Sequence, residues 1–519
     1  MLKPLLKSGY FPQELPPLFS TAQFTACISK TNSTNLPKGF TNKKADWTSP
    51  SHHNLARVGG LRRRLSVPNP VNFYRVAKVF SSNASKLKDE WGKSPFSYTT
   101  PALTTLGARA LSPTNSDRAT PRALIRVGAK YILRADISQF YPSIYTHTIP
   151  WVLHTKKTAK ANINNMSLFG NVLDKELQAC QYGQTKGIAI GPDTSLGVAE
   201  LLLSNIDYQL NKDCKIIGGV RFIDDMEFSF QHLADAEHTM ARLEALLYEH
   251  ELQLNIQKTK IFELPDSFES PYVTELRLYL PAKDKATRAE WVDFFNKAFH
   301  LAKIYPADGV LRYAVSSLRK IKISANHWPL VQNLLWQCIS SDPGTIRFVI
   351  DTLLSNTRSN KNLTIDDSLA ESALDSLITN SAPVGHGSEV VWSIWAALLF
   401  KLKLSDECQS TITKMDDSFV AVIAFLANSH GVFKSPLTSD LWAEWFEEGC
   451  FNENHWLFVY EAFRHNWMTS EVKHAKLKSN PYCKFMGQNN VSFVNEKLIA
   501  SYKPSVFTIE NFFLSGAYG

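Results

Sequence analysis

One short segment constrains the fold of this chain more than any other, the run Val220-Arg-Phe-Ile-Asp-Asp-Met-Glu-Phe-Ser-Phe230. Two runs rich in apolar and aromatic residues flank the pair Asp224-Asp225, a pattern that predicts a β-hairpin with an acidic tip. Adjacent carboxylates at an apolar tip repel each other, and cations stabilise such a cluster by neutralising it. The alternative is an ordinary Asp-Asp turn without further function.

A second acidic position follows another predicted strand. Asp136 ends the alternating run Tyr131-Ile-Leu-Arg-Ala135, whereas Thr194–Leu210 and Leu233–His250 have helical spacing. Strands and helices in this order predict an α+β domain in which helices back an antiparallel sheet. Carboxylates from separate strands are the ligands that two Mg²⁺ ions about 4 Å apart require.

Charge and cysteine content narrow the class of protein. The net charge is +8, and residues 1–132 hold twenty Lys or Arg against five Asp or Glu. This basic part is expected to face phosphates, although a solvated surface is the alternative. The seven cysteines include no C-x-x-C pair, which argues against a zinc site or a disulfide framework. Without a signal peptide or a membrane-spanning stretch, the pattern predicts a cytoplasmic protein with no membrane partner.

The chain divides into four predicted parts. Residues 1–55 are rich in Pro, Ser, Thr and Asn and have little periodicity, which predicts an irregular N-terminal arm. Residues 56–130 are basic, and residues 131–270 contain the acidic positions. From 271 to 519 amphipathic helices dominate, and nine of the twelve tryptophans lie there. These helices are predicted to stack in HEAT-like pairs, with an irregular helical domain as the alternative.

Four blocks carry a resemblance to a known family. In order and spacing they resemble palm motifs A to D of reverse transcriptases: Asp136-Ile-Ser-Gln-Phe-Tyr-Pro-Ser-Ile144, Gly187-Ile-Ala-Ile-Gly-Pro-Asp-Thr-Ser195, Phe222-Ile-Asp-Asp225 and Leu252-Gln-Leu-Asn-Ile-Gln-Lys-Thr259. Arg63-Arg-Leu-Ser-Val-Pro-Asn-Pro70 is similar to the fingers segment of retron-like bacterial enzymes. The resemblance covers residues 60–265. It implies a right-hand polymerase with fingers at 56–130, a palm at 131–270 and a helical thumb or repeat domain at 271–519.

The resemblance also implies roles for individual residues. Asp136, Asp224 and Asp225 would bind two Mg²⁺ ions, together with the carbonyl of Ile137. Tyr141 matches the steric gate that crowds a 2′-hydroxyl and favours dNTPs. The remaining matches concern the nucleotide: Gly187 and Gly191 for close backbone approach, Lys258 near the pyrophosphate and Arg63 at the triphosphate. The alternatives are a core tyrosine, turn glycines, a solvated lysine and general attraction of phosphate by arginine.

Two departures from the common motifs refine the resemblance. Phe222 replaces the usual tyrosine of the hairpin, and Ala189-Ile190 replaces the usual Pro-Gln. The sequence with Ala189-Ile190 resembles that of abortive-infection and other defence-associated bacterial reverse transcriptases, which carry a helical repeat domain after the palm. This implies an anti-phage enzyme with RNA, dNTPs and a DNA product as partners. Relatives assemble as homo-oligomers, and some use a structured non-coding RNA or a protein primer. Tyr518 and Ser515 are the candidate priming residues.

Two other functions remain open at this stage. An RNA-dependent RNA polymerase uses similar carboxylates, but Tyr141 argues against it because such enzymes leave room for a 2′-hydroxyl. A catalytically silent RNA-binding scaffold is the other alternative. The intact set Asp136, Asp224 and Asp225 argues against it, because a scaffold has no need of clustered carboxylates.

Overall fold

The computed structural model describes residues 1–104, 109–113, 117–447, 449–468 and 477–504. The candidate priming residues Ser515 and Tyr518 lie outside this part of the chain.

The N-terminal region is folded and largely buried. The prediction of an irregular arm over residues 1–55 is wrong, because two short helices there bury Leu5, Leu6 and Phe24 in the main core. Asn69 and Pro70 start a helix after this region, where the Asn69 side chain accepts from the Val71 N–H at 3.0 Å. The elements are α1 (Leu2–Ser8), α2 (Ala22–Lys30), β1 (Ser51–Ala56), β2 (Arg62–Val67), α3 (Pro70–Ser82), α4 (Ala84–Trp91), β3 (Pro101–Leu103), β4 (Leu111–Pro113) and α5 (Ala119–Ile125).

A four-stranded antiparallel sheet follows, as predicted. Its strand order is β6-β7-β5-β8, and the predicted hairpin is the pair β6–β7. Helices α10 and α11 confirm the two helices expected from the apolar spacing. The elements are β5 (Tyr131–Ala135), α6 (Phe140–Ser143), α7 (Thr148–His154), α8 (Lys156–Ala161), α9 (Phe169–Ala179), α10 (Asp193–Asp213), β6 (Gly218–Phe222), β7 (Asp225–Phe230), α11 (Leu233–Glu249), β8 (Lys260–Glu263) and α12 (Pro271–Leu278).

The rest of the described chain is helical, which confirms an α+β architecture with a large helical part. The HEAT-like arrangement stays a prediction. No helix in the described ranges is both long and apolar enough to cross a bilayer. The helices are α13 (Arg288–Ile304), α14 (Val310–Ser317), α15 (Trp328–Ser341), α16 (Ile346–Ser359), α17 (Asp367–Ser381), α18 (Gly387–Phe400), α19 (Asp406–Ile412), α20 (Ser418–Ser429), α21 (Asp440–Glu444), α22 (Trp456–His465), α23 (Pro481–Gln488) and α24 (Lys497–Ser501).

The hairpin β1–β2 is fastened to the start of α18. Arg62 donates to the Glu389 carboxylate at 2.9 Å, and the Ala56 N–H donates to Ser388 Oγ at 2.9 Å. The N-terminal segment lies against the same helix, because the Trp392 indole donates to the Glu14 carbonyl at 2.9 Å. The basic hairpin and the helical region are therefore in direct contact.

Candidate active site

The register of the central sheet brings the acidic residues together. Ala135 pairs with Met226, so Asp136 follows β5 at the level where Asp225 begins β7. Phe222 pairs with Asp225, which leaves Ile223 and Asp224 as the turn of the hairpin. The three carboxylates therefore lie at one edge of the sheet.

The turn at Ile223 is conformationally strained. Its φ of 58° lies in the left-handed region, which β-branched residues rarely adopt. Contacts outside the turn hold it there: the Ile223 N–H donates to Thr99 Oγ1 at 2.9 Å, and its carbonyl accepts from Arg221 at 2.9 Å. Strain of this kind often accompanies a functional constraint.

Asp224 is the most perturbed of the three carboxylates. Its side chain is buried, and burial raises its pKa from the ordinary 3.8 to about 8, with further contributions from Asp136 and Asp225. Arg63 acts in the opposite direction and offsets only part of the increase. Burial, more than the charges of its neighbours, therefore disfavours the ionised form of Asp224.

Asp136 and Asp225 each contact basic side chains. Asp136 accepts from Asn255 Nδ2 and from Lys258 Nζ, both at 3.0 Å. Asp225 accepts from Arg118 at 3.1 Å and from Arg122 at 2.9 Å. These ion pairs occupy the oxygen atoms that a metal ion would use.

Tyr141 and Gly187 lie beside the acidic edge. Tyr141 is buried in α6, directly after the loop that follows Asp136, and its carbonyl accepts from the Ile188 N–H at 3.1 Å. Gly187 has a φ of +85°, and a Cβ there would lie 3.2 Å from the Pro142 carbonyl oxygen. Glycine is therefore required at position 187 by the backbone conformation and by space.

Gly191 is approached closely by the chain itself. A Cβ there would lie 2.4 Å from Pro12 Cγ, so the N-terminal segment packs directly on this glycine. Arg109 fixes the contact, because its guanidinium donates to the Phe11 carbonyl at 2.7 Å and to the Gly191 carbonyl at 2.8 Å. It also pairs with Asp193 at the start of α10.

Arg63 differs from its two basic neighbours. Alternation along β2 turns Arg63 inward, where it is buried near Asp224 and Tyr141, whereas Arg64 is exposed and Arg62 pairs with Glu389. Burial, with help from Arg57, lowers the Arg63 pKa to about 10, so it stays charged at neutral pH. Arg63 lines a cavity of about 290 Å³ together with Arg57, Arg118, Arg312 and Arg347.

The donor set suits a divalent cation. Three carboxylates and the nearby Ile137 carbonyl offer oxygen ligands, which Mg²⁺ prefers. The burial of Asp224 beside Asp136 and Asp225 fits such a cation, because a bound metal would stabilise the ionised carboxylate. In the present arrangement, within the described ranges, no group of three or more His, Cys, Asp or Glu side chains is gathered closely enough to hold a metal ion.

Several contacts of the site were missed by sequence reasoning. Arg118, Arg122 and Arg126 recur every four residues, a spacing that places them on one helical face, and that signal was available. Asn255 lies inside the fourth motif block and holds Asp136. Arg57 and Arg109 act through tertiary contacts that no local pattern reveals.

Comparison with known proteins identifies the domain. Residues 84–291 match the family model described as reverse transcriptase (RNA-dependent DNA polymerase). The matched range contains the acidic hairpin, Asp136, Tyr141 and Lys258, whereas Arg63 lies before it. A search of curated proteins found no match. The chain therefore contains a reverse transcriptase domain, and it is a nucleotidyltransferase of the RNA-directed DNA polymerase class.

Proposed function

We propose that this RNA-directed DNA polymerase adds dNTPs by two-metal-ion catalysis, with Asp136, Asp224 and Asp225 as the Mg²⁺ ligands. The observation that carries the proposal is the burial of Asp224 beside two other carboxylates, which raises its pKa to about 8. When bound, Mg²⁺ supplies Lewis-acid stabilisation of the charge on the transferring phosphoryl group. The Ile137 carbonyl is a further oxygen ligand in this proposal.

The protein's own groups position the reactants. The primer 3′-hydroxyl loses its proton to water and forms a bond to the α-phosphorus of the dNTP. The bond from that phosphorus to the α–β bridging oxygen breaks, and pyrophosphate leaves. Three basic side chains that now contact the carboxylates turn to the phosphate oxygens of the dNTP in this proposal. They are Lys258, which contacts Asp136, and Arg118 and Arg122, which contact Asp225. Charge-assisted contacts of this kind stabilise the negative charge that develops during phosphoryl transfer.

Substrate selection is proposed for the residues around Tyr141. The buried ring crowds a 2′-hydroxyl, and Arg63 with Arg57 attracts the triphosphate from the arginine-lined cavity. Gly187 and Gly191 keep side chains away from the incoming nucleotide. For Gly191, this requires Pro12 to move from its present contact.

A wider role in anti-phage defence is part of the proposal. It is supported by the Ala189-Ile190 version of the second motif and by the helices that follow the matched domain. In this role a bacterial cytoplasmic homo-oligomer copies a structured non-coding RNA, and Tyr518 or Ser515 provides the priming hydroxyl. Protease digestion of the product, followed by mass spectrometry of DNA-linked peptides, tests the priming residue. Free 5′ ends on the product would exclude protein priming.

The catalytic proposal is tested by nucleotide incorporation. Purified protein with an RNA template should incorporate dNTPs only when Mg²⁺ is present. Asp224→Asn combined with Asp225→Asn should reduce incorporation to background, because both ligands lose their charge. Asp213→Asn, an exposed carboxylate at the end of α10, is the matched control and should keep full activity. Incorporation by the double variant would contradict the metal assignment.

The proposed role of Tyr141 as a steric gate is tested by the ratio of rNTP to dNTP incorporation. Tyr141→Ala should raise rNTP incorporation relative to dNTP, because removal of the ring makes room beside the sugar. An unchanged ratio would mean that Tyr141 is a packing residue.

A further inference from the structure

Two large aromatic side chains stand exposed side by side on the surface. Trp47 is 54% exposed and Tyr182 is 56% exposed, and their ring centroids are 6.1 Å apart. Single exposed apolar residues are normal on soluble proteins, whereas adjacent exposed rings form a patch of the kind that binds ligands or partners. The backbone holds this pair, because the Tyr182 N–H donates to the Thr48 carbonyl at 2.9 Å.

The local backbone does not favour tyrosine at this position. Tyr182 has a φ of 56°, and the next residue, Gly183, has a φ of 78°. Two successive left-handed residues favour Asn-Gly, and a bulky side chain at the first position is unfavourable. The exposed ring gains little burial in return. Gly183 leaves room for the indole, because a Cβ there would lie 3.0 Å from Trp47.

Tyr182 lines a cavity of about 630 Å³ that also has basic groups on its wall. Arg64 and Lys186 are exposed and line the same cavity, and Glu453 is its acidic member. The segment Gly187–Ile190 forms another part of the wall. Ile188 in this segment donates its N–H to the Tyr141 carbonyl. The segment that lines the cavity therefore also contacts the backbone of the proposed gate.

We propose that Trp47 and Tyr182 form a stacking surface for bases of a single-stranded nucleic acid whose phosphates lie along Arg64 and Lys186. Aromatic rings stack on any base, and adjacent cations attract the backbone, which is the usual composition of a single-strand binding groove. The identification of this strand as the template rests on the proposed function. The stacking surface itself depends only on the rings and the cations.

Binding measurements separate the rings from the cations. Fluorescence anisotropy with a labelled, unstructured single-stranded RNA should show about tenfold weaker binding for Trp47→Ala and for Tyr182→Ala. An abasic oligonucleotide of equal length should bind wild-type protein and the double variant equally, because it has no bases to stack. Arg64→Ala should instead reduce the salt dependence of binding. Tyr248→Ala removes a ring that is 77% exposed elsewhere and is the matched control, with unchanged affinity expected.

The outcomes distinguish this proposal from the catalytic one. Equal RNA affinity of wild type and the Trp47→Ala/Tyr182→Ala double variant would overturn the stacking surface, whatever the polymerase activity. If that variant also lost self-association in light scattering, the rings would form an interface between copies of the chain. Ring-dependent binding in a protein that incorporates no dNTPs would contradict the proposed function while supporting the surface.

Discussion

The hairpin β6–β7 buries two groups of charges, one around Arg221 in β6 and one at its tip, and they are held differently. In β6, Arg221 is completely buried and donates to Glu200 at 3.0 Å and to Asp207 at 2.7 Å. At the tip, Asp224 is buried beside Asp136 and Asp225, and its pKa is raised to about 8. Both carboxylates of the Arg221 network accept hydrogen bonds from the arginine, whereas burial disfavours the ionised form of Asp224. Direct pairing therefore characterises the structural charges, and opposed ionisation characterises the proposed functional one.

The Arg221 network should be the more sensitive of the two to mutation. Arg221→Met leaves Glu200 and Asp207 buried without their cation, so the free energy of unfolding should fall by about 3–5 kcal/mol. Chemical denaturation measures the change. Arg242→Met breaks an ion pair at 2.9 Å that is about one-third exposed, and this control should lose less than about 1 kcal/mol. Equal losses in the two variants would contradict the distinction between the buried network and a surface pair.

The tip should respond in the opposite direction. Without divalent ions and above pH 8, Asp224→Asn should raise the free energy of unfolding by on the order of 2 kcal/mol, because it removes a charge that burial and two carboxylates oppose. Mg²⁺ should stabilise the wild type more than the variant, since binding to the folded state adds to stability. Thermal denaturation with and without Mg²⁺ measures both effects. A variant less stable than the wild type without Mg²⁺ would contradict the unfavourable burial of the Asp224 charge.

The hairpin β6–β7 shows which features of the site the sequence alone can predict. Apolar alternation around Asp224-Asp225 predicted both strands and the acidic tip, because strand pairing there follows a local pattern. The position of Asp136 opposite Asp225 depends on the register between β5 and β7, which pairs segments far apart in the chain. The order of the motif blocks suggested this neighbourhood, but the contacts of Lys258, Arg118 and Arg122 required tertiary structure.

The N-terminal region shows where sequence patterns were insufficient. Helices α1 and α2 have seven and nine residues, too few for apolar periodicity to stand out. The segment between them also packs on a distant part of the chain, because Pro12 lies directly on Gly191. In β2, alternation could have separated Arg63 from its basic neighbours, because successive residues of a strand face opposite sides.

His52 is a third group whose charged form is disfavoured, and the change in the free energy of unfolding expected from it is the smallest. His52 is partly buried beside Ser66, whose Oγ is 3.0 Å from the His52 Nδ1, and burial together with the nearby Arg64 lowers its pKa from 6.5 to about 4. The unfolded chain therefore binds a proton between pH 6.5 and pH 4 that the folded protein does not. By linkage, the stability contributed by neutral His52 is present above pH 6.5 and is lost as the pH falls toward 4. Wild type should lose about 1–2 kcal/mol more than His52→Gln between pH 7 and pH 5. The two unfolding curves should have parallel pH dependence above pH 7.5, and parallel profiles down to pH 5 would contradict the neutral, buried state of His52.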